Sequence, residues 1–83
     1  MSEYTFHTDP SHGWLEVPIA EVRRLGIADK VSRYSYRKGK NAYLEEDCDY
    51  TLWHDAKKAA GEEYKIREVN SNFDSVIRAY EAY

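Results

Sequence analysis

The stretch "YTFHTDPSHGWLEVP", Tyr4–Pro18, decides how this chain begins to fold. Tyr4-Thr5-Phe6-His7-Thr8 alternates aromatic and polar residues, the two-residue period of a strand, with Tyr4 and Phe6 on one face. Asp9-Pro10-Ser11-His12-Gly13 is turn chemistry: proline presets φ, glycine tolerates φ > 0, and Asp and Ser bond nearby backbone. Trp14-Leu15-Glu16-Val17 then reads as the returning strand, and Pro18 suits the first position of a helix.

Beyond this hairpin, Ile19, Val22 and Leu25 recur at i, i+3, i+6, and Gly26 can end the helix in the left-handed conformation. Glu21, Arg23 and Arg24 fall on the exposed side of that helix, while Ile27 and Val31 return to the core. Arg33-Tyr34-Ser35-Tyr36-Arg37 alternates again, which predicts a strand with both tyrosines on one face and Arg33, Ser35 and Arg37 on the other. The glycine-containing loop Lys38–Asn41 joins it to a second strand, Ala42–Glu45.

"EEDCDYTLWHDAKKAAG" starts acidic and ends basic, which complements a helix macrodipole, with Asp47 or Asp49 as N-cap. Leu52, Trp53, Ala56, Ala59 and Ala60 make its apolar stripe. Tyr64, Ile66 and Val69 follow in a strand or extended segment. Ser71-Asn72-Phe73-Asp74 matches a helix start, and Phe73, Val76, Ile77 and Tyr80 recur at helical spacing; the short β-branched run also fits a strand, so both readings stand for residues 72–81. The expected fold class is α+β, residues 1–83 in a single domain. Its small, mainly antiparallel sheet has four to five strands in ββαββα order, with two or three helices packed on one face.

Composition bounds the function. A hydrophobic fraction of 42% and a charged fraction of 33% suit a compact soluble domain of 83 residues. So short a chain has a small core, and self-association into a homodimer is a common supplement. Net charge is −3, without the basic excess that drives nucleic-acid binding. One cysteine, Cys48, rules out an intrachain disulfide and fits a reducing, cytoplasmic setting. The first residues lack a signal-peptide pattern, and no apolar run approaches the roughly 20 residues of a membrane span.

Four constellations carry possible chemistry. His7, Asp9 and His12 spell H-x-D-x-x-H, competent donors for a divalent transition metal if His54, Glu16 or Cys48 supplies a further ligand; otherwise Asp9 is a turn-former and the histidines are polar strand-end residues. The acidic run Glu45, Glu46, Asp47, Asp49 is most simply a helix start; alternatively it offers oxygen donors for Mg²⁺ or Ca²⁺, without the spacing of a calcium loop, or an acidic surface that imitates nucleic-acid phosphates for a basic partner. Arg33, Arg37, Lys38 and Lys40 interleave with Tyr34, Tyr36 and Tyr43, a pattern able to bind single-stranded nucleic acid or merely to solvate a sheet face. Glu63-Tyr64-Lys65, with Asp47, Asp49 and Asp55 upstream, echoes a nuclease tripeptide that is common by chance. Cys48 and His54, six residues apart on a helix, face different ways and make no nucleophile pair.

Taken together, "FHTDPSHGWLEVP", "RLGIADKVSRYSY", "YLEEDCD" and "NSNFDSVIRAY" resemble a family of small uncharacterised proteins carried by bacteria, plasmids and phages. The resemblance spans nearly the whole chain and implies a host-interfering role of the anti-CRISPR or anti-restriction kind; it implies no catalytic residue. The expectation is therefore a non-enzymatic, cofactor-free binding protein that docks on a larger host or phage protein complex. Glu45, Glu46, Asp47 and Asp49 would steer the encounter, with Tyr34 and Tyr36 as anchors.

Overall fold

The computed structural model describes residues 2–72 and 75–83. The first hairpin forms as its pattern predicts. Strand β1 (Ser2–Thr8) pairs antiparallel with β2 (Gly13–Pro18), Phe6 opposite Leu15 and His7 opposite Trp14. Pro18 ends β2 and caps helix α1 (Ile19–Arg24), one position earlier than expected. Strands β3 (Tyr36–Lys38) and β4 (Asn41–Glu45) make a second hairpin, and β4 pairs with β2. Helix α2 (Tyr50–Ala59) then carries the chain across to β5 (Tyr64–Asn70), which lies parallel to β1 at the far edge. A parallel neighbour needs such a crossover, because a tight turn can only reverse direction. The two-residue β6 (Glu81–Ala82) closes the other edge on β3. The class is α+β, but among the described residues the sheet has six strands in the order β5-β1-β2-β4-β3-β6 rather than four or five.

Both helices end in the same way. Gly26 and Gly61 take φ of +74° and +70°, and the next amides, Ile27 and Glu62, reach back to the carbonyls of Val22 and Lys57. This is the 6→1 bond of the Schellman motif, and a Cβ would strain the glycine position in each.

Both helices pack on one face of the sheet. Leu15, Val17, Ala42 and Leu44 are fully buried there beneath Val22 of α1 and Trp53 of α2, with Tyr4 beside them. Trp53 meets Tyr4 edge-on at 4.9 Å and Tyr64 at 4.6 Å between ring centroids. The α2 stripe is narrower than its alanines imply: Leu52 and Ala56 are half-buried, while Ala59 and Ala60 are exposed. The buried neighbour of Trp53 is instead Lys57, whose Nζ donates to Tyr4, Glu21 and Glu62 at 3.1, 3.0 and 2.8 Å. A lysine is tolerated at such depth when every donor is matched. Glu21, predicted exposed, is drawn inward by the same cluster and also accepts from the Trp53 indole at 3.3 Å.

The opposite face is covered in part by the C-terminal segment. Trp14 and Tyr43 are buried beneath Ile77, with Tyr36 and Tyr80 against them. That segment is neither a full helix nor a full strand: one 3₁₀ turn (Val76–Ala79) leads into β6. Val76 is 71% exposed, so only Ile77 of the β-branched pair reaches the core. The expected contact of Phe73, and the capping role of Asp74, lie outside the described residues. Residues 33–37 also differ from expectation. Only Tyr36 and Arg37 enter β3; Ser32–Ser35 form a turn that buries Ser35 completely and leaves Tyr34 61% exposed.

Candidate functional site

The three residues of the H-x-D-x-x-H pattern separate. His7 Nε2 lies 2.8 Å from Glu16 Oε1, on the sheet face that carries Tyr43. Asp9 is buried at the turn, where Oδ1 accepts the amides of Ser11 and His12 at 3.0 and 2.9 Å. Its Oδ2 accepts the Ser75 amide at 3.0 Å and Arg78 Nε at 2.7 Å. Arg78 above all, and then these amides, hold the Asp9 carboxyl far below the usual carboxylate range. Asp9 is thus fully committed as a structural acceptor. His54 bonds the Tyr64 hydroxyl instead, in a different pairing from the one a shared metal centre with His7 requires.

His12 finds other company. Among the described residues, donor atoms of His12, Glu45 and Glu46 lie within 4.8 Å of one another. Strand register explains the meeting: Trp14 pairs with Glu45, and the Glu46 amide donates to the Gly13 carbonyl at 3.0 Å. The turn after β1 and the corner after β4 therefore abut. Glycine allows this close approach, since a Cβ would stand 2.6 Å from Phe6 Cζ and 3.0 Å from Glu46 Oε2 and push them aside.

Glu45 does not belong to a solvated acidic run. It ends β4, is only 6% exposed, and its Oε1 accepts the amides of Asp47 and Cys48 at 2.9 and 3.1 Å. Its Oε2 is buried without a hydrogen-bond partner among the described residues, 3.7 Å from His12 Nδ1. Asp49 is buried too. It occupies the N-cap position of α2 but makes no side-chain cap; instead it accepts from the Ser32 amide, the Ser32 hydroxyl and the Ser35 hydroxyl. Ser35 Oγ in turn accepts the Glu45 amide at 2.9 Å, which ties the turn, the strand end and the helix start into one corner. Of the four acidic residues proposed as a surface, Glu45 and Asp49 are therefore interior, Glu46 is half-buried and only Asp47 is fully exposed. Desolvation first, and then Asp47 and Glu45, raise the Glu46 carboxyl above its ordinary value. Desolvation and the same carboxylates raise the Cys48 thiol, so it is not an activated nucleophile.

A cleft of about 290 Å³ opens beside this corner. Trp14, Tyr34 and Tyr36 give it aromatic walls, Glu45, Asp47 and Cys48 lie along one side, and His12, Arg33 and Arg78 complete the lining. Trp14 Nε1 is buried and has no acceptor among the described residues. The Arg78 guanidinium lies 5.4 Å from the Trp14 ring, a cation–π distance. The depth of Glu45 and the part played by Trp14 and Arg78 could not be read from spacing, because they depend on which strand ends meet.

The basic-aromatic pattern is divided by the fold. Tyr43 is buried, Arg37 pairs with Glu81 at 2.7 Å, and Lys38 sits 4.8 Å over the Tyr80 ring; Lys40 remains exposed in the hairpin turn. Glu63 and Lys65 are exposed around the start of β5, whereas Asp49 is locked to the two serines. No described helix is long and apolar enough to cross a membrane. Comparison with protein-family models, with curated proteins and with solved structures gives no match.

Proposed function

We propose that this protein is a binding protein without catalytic machinery of its own, and that the cleft between the first turn, Arg33–Tyr36 and the β4–α2 corner is where its protein partner docks. One observation carries the reading. Three aromatic rings wall a cleft of about 290 Å³ whose rim residue, Tyr34, is 61% exposed. Aromatic anchors supply much of the energy at protein interfaces. A partner segment would place an apolar or aromatic side chain between the rings. Asp47 and Arg33 at the mouth then select the charge pattern of the partner. The resemblance to phage and plasmid proteins directs the search for that partner to bacterial defence complexes.

The test compares wild type with Tyr34→Ala, a change at an exposed site that leaves thermal stability within about 0.5 kcal/mol. Wild type should retain a stoichiometric protein from a bacterial lysate, and the variant should bind the same purified protein about tenfold more weakly or worse. Recovery of no partner, or equal affinity of both forms, contradicts the reading.

A further inference from the structure

We infer that His12, Glu45 and Glu46 form a binding site for a divalent transition cation of the zinc or manganese class. The inference concerns the protein alone and does not rest on the docking reading.

Donor geometry comes first. Two ligands each about 2.0–2.2 Å from a tetrahedral zinc stand roughly 3.3–3.6 Å apart. His12 Nδ1 and Glu45 Oε2 are 3.7 Å apart, too far for a hydrogen bond and close to the separation that a shared ion imposes. A Glu46 carboxylate oxygen lies within 4.8 Å of the other donors, a distance that side-chain rotation can shorten.

Glu45 supplies the independent observation. Its carboxylate is fixed from behind, because Oε1 takes two backbone amides, and Oε2 is left buried and unmatched on the His12 side. A buried carboxylate oxygen without a donor costs free energy that a cation would recover. Outer-shell bonds of this kind are what orient carboxylate ligands in metal sites. The His12 backbone is held equally well: its amide donates to Asp9 Oδ1 and its carbonyl accepts the Asp9 amide, both at 2.9 Å. Asp9 therefore acts as a positioning residue for the site.

One imidazole nitrogen and two carboxylate oxygens suit zinc, manganese or ferrous iron better than calcium or magnesium, which favour all-oxygen shells. Of the two arginines that line the adjoining cleft, Arg78 is paired with Asp9 at 2.7 Å. A bound ion would join the first turn to the β4–α2 corner at the edge of the aromatic cleft.

The experiment is equilibrium dialysis of the untagged protein against Zn²⁺ and Mn²⁺, with thermal unfolding followed at each concentration. The expected result is one ion per chain for at least one of these metals and a melting temperature that rises with ion concentration. Glu45→Gln keeps an oxygen for the two amides but loses the anionic ligand, and His12→Gln alters a half-exposed ring. Each should weaken the ion by about tenfold or more while the apo-proteins remain folded by circular dichroism. Substoichiometric uptake of both ions, or undiminished binding in the two folded variants, would overturn the assignment.

Discussion

Asp9 and Arg78 stand 69 residues apart in sequence and 2.7 Å apart in space, joining the first turn of the protein to its C-terminal segment. The Asp9 side chain is fully buried, and Arg78 is one-third exposed. Removing the acid leaves the guanidinium, the Ser75 amide and two turn amides without their acceptor. Asp9→Ala should therefore cost about 3 kcal/mol, the scale for breaking a buried pair from one side. Urea unfolding measures it. A loss below about 1 kcal/mol would mean that water replaces the carboxylate without penalty.

Acid should weaken the protein through the Lys57 cluster. Arg24 and then Lys57 hold the Glu62 carboxyl down at about 2, against an ordinary 4.5. Burial pushes Glu21 up, but hydrogen bonds from Tyr4 and Lys57 outweigh it and leave it lowered. Both carboxylates bind protons more weakly folded than unfolded, so their contribution is complete above pH 4.5 and fades as pH falls, for Glu62 towards about 2. Lys57 behaves oppositely: burial lowers its affinity for protons, Glu62, Tyr4 and Glu21 more than restore it, and its contribution fades only as pH rises above 10.5. Urea midpoints of Glu62→Gln should fall less steeply than wild type between pH 4.5 and 2. Parallel curves would assign the acid sensitivity elsewhere.

Ser35 has no exposed surface and bridges the Asp49 carboxylate to the Glu45 amide. Ser35→Ala removes a donor and an acceptor from a closed corner, and about 1–3 kcal/mol should go with them. Chemical denaturation gives the magnitude. Hydrogen exchange should locate the loosening at the Glu45 amide and the first turn of α2.

Gly13→Ala tests the close approach of the two corners. The new Cβ would fall 2.6 Å from Phe6 Cζ, so the ring must move away from its edge-on contact with Tyr50 at 5.6 Å. Overpacking of this kind costs about 1–3 kcal/mol. A melting temperature equal to wild type would show that Phe6 yields freely.

Much of the local structure was legible in residue pattern. The period-two run Tyr4–Thr8, the turn residues Asp9–Gly13 and the returning Trp14–Val17 specify a hairpin by rules that act within a few residues. Gly26 and Gly61 mark helix ends for the same reason. Alternation misled at Arg33–Arg37, because a run of five residues cannot reveal that Asp49, distant in sequence, draws Ser35 into a buried turn. The helical spacing of Val76, Ile77 and Tyr80 produced only one 3₁₀ turn, because the chain turns at once to pair Glu81–Ala82 with β3, a tertiary contact that outweighs weak propensity in a short segment.

The site divides in the same way. Residue type alone marked His12, Glu45 and Glu46 as possible donors, and marked Tyr34 and Tyr36 as possible anchors. Their grouping came from register, since Trp14 lies opposite Glu45 and so brings the His12 turn beside the acidic corner. The same packing took His7 to Glu16 and Asp9 to Arg78. Sequence by itself determined the hairpins, the helix ends and the chemistry available, because these depend on neighbours along the chain. Tertiary structure alone decided which carboxylates are buried and which donors meet, because burial and convergence depend on residues that only the closed sheet brings together.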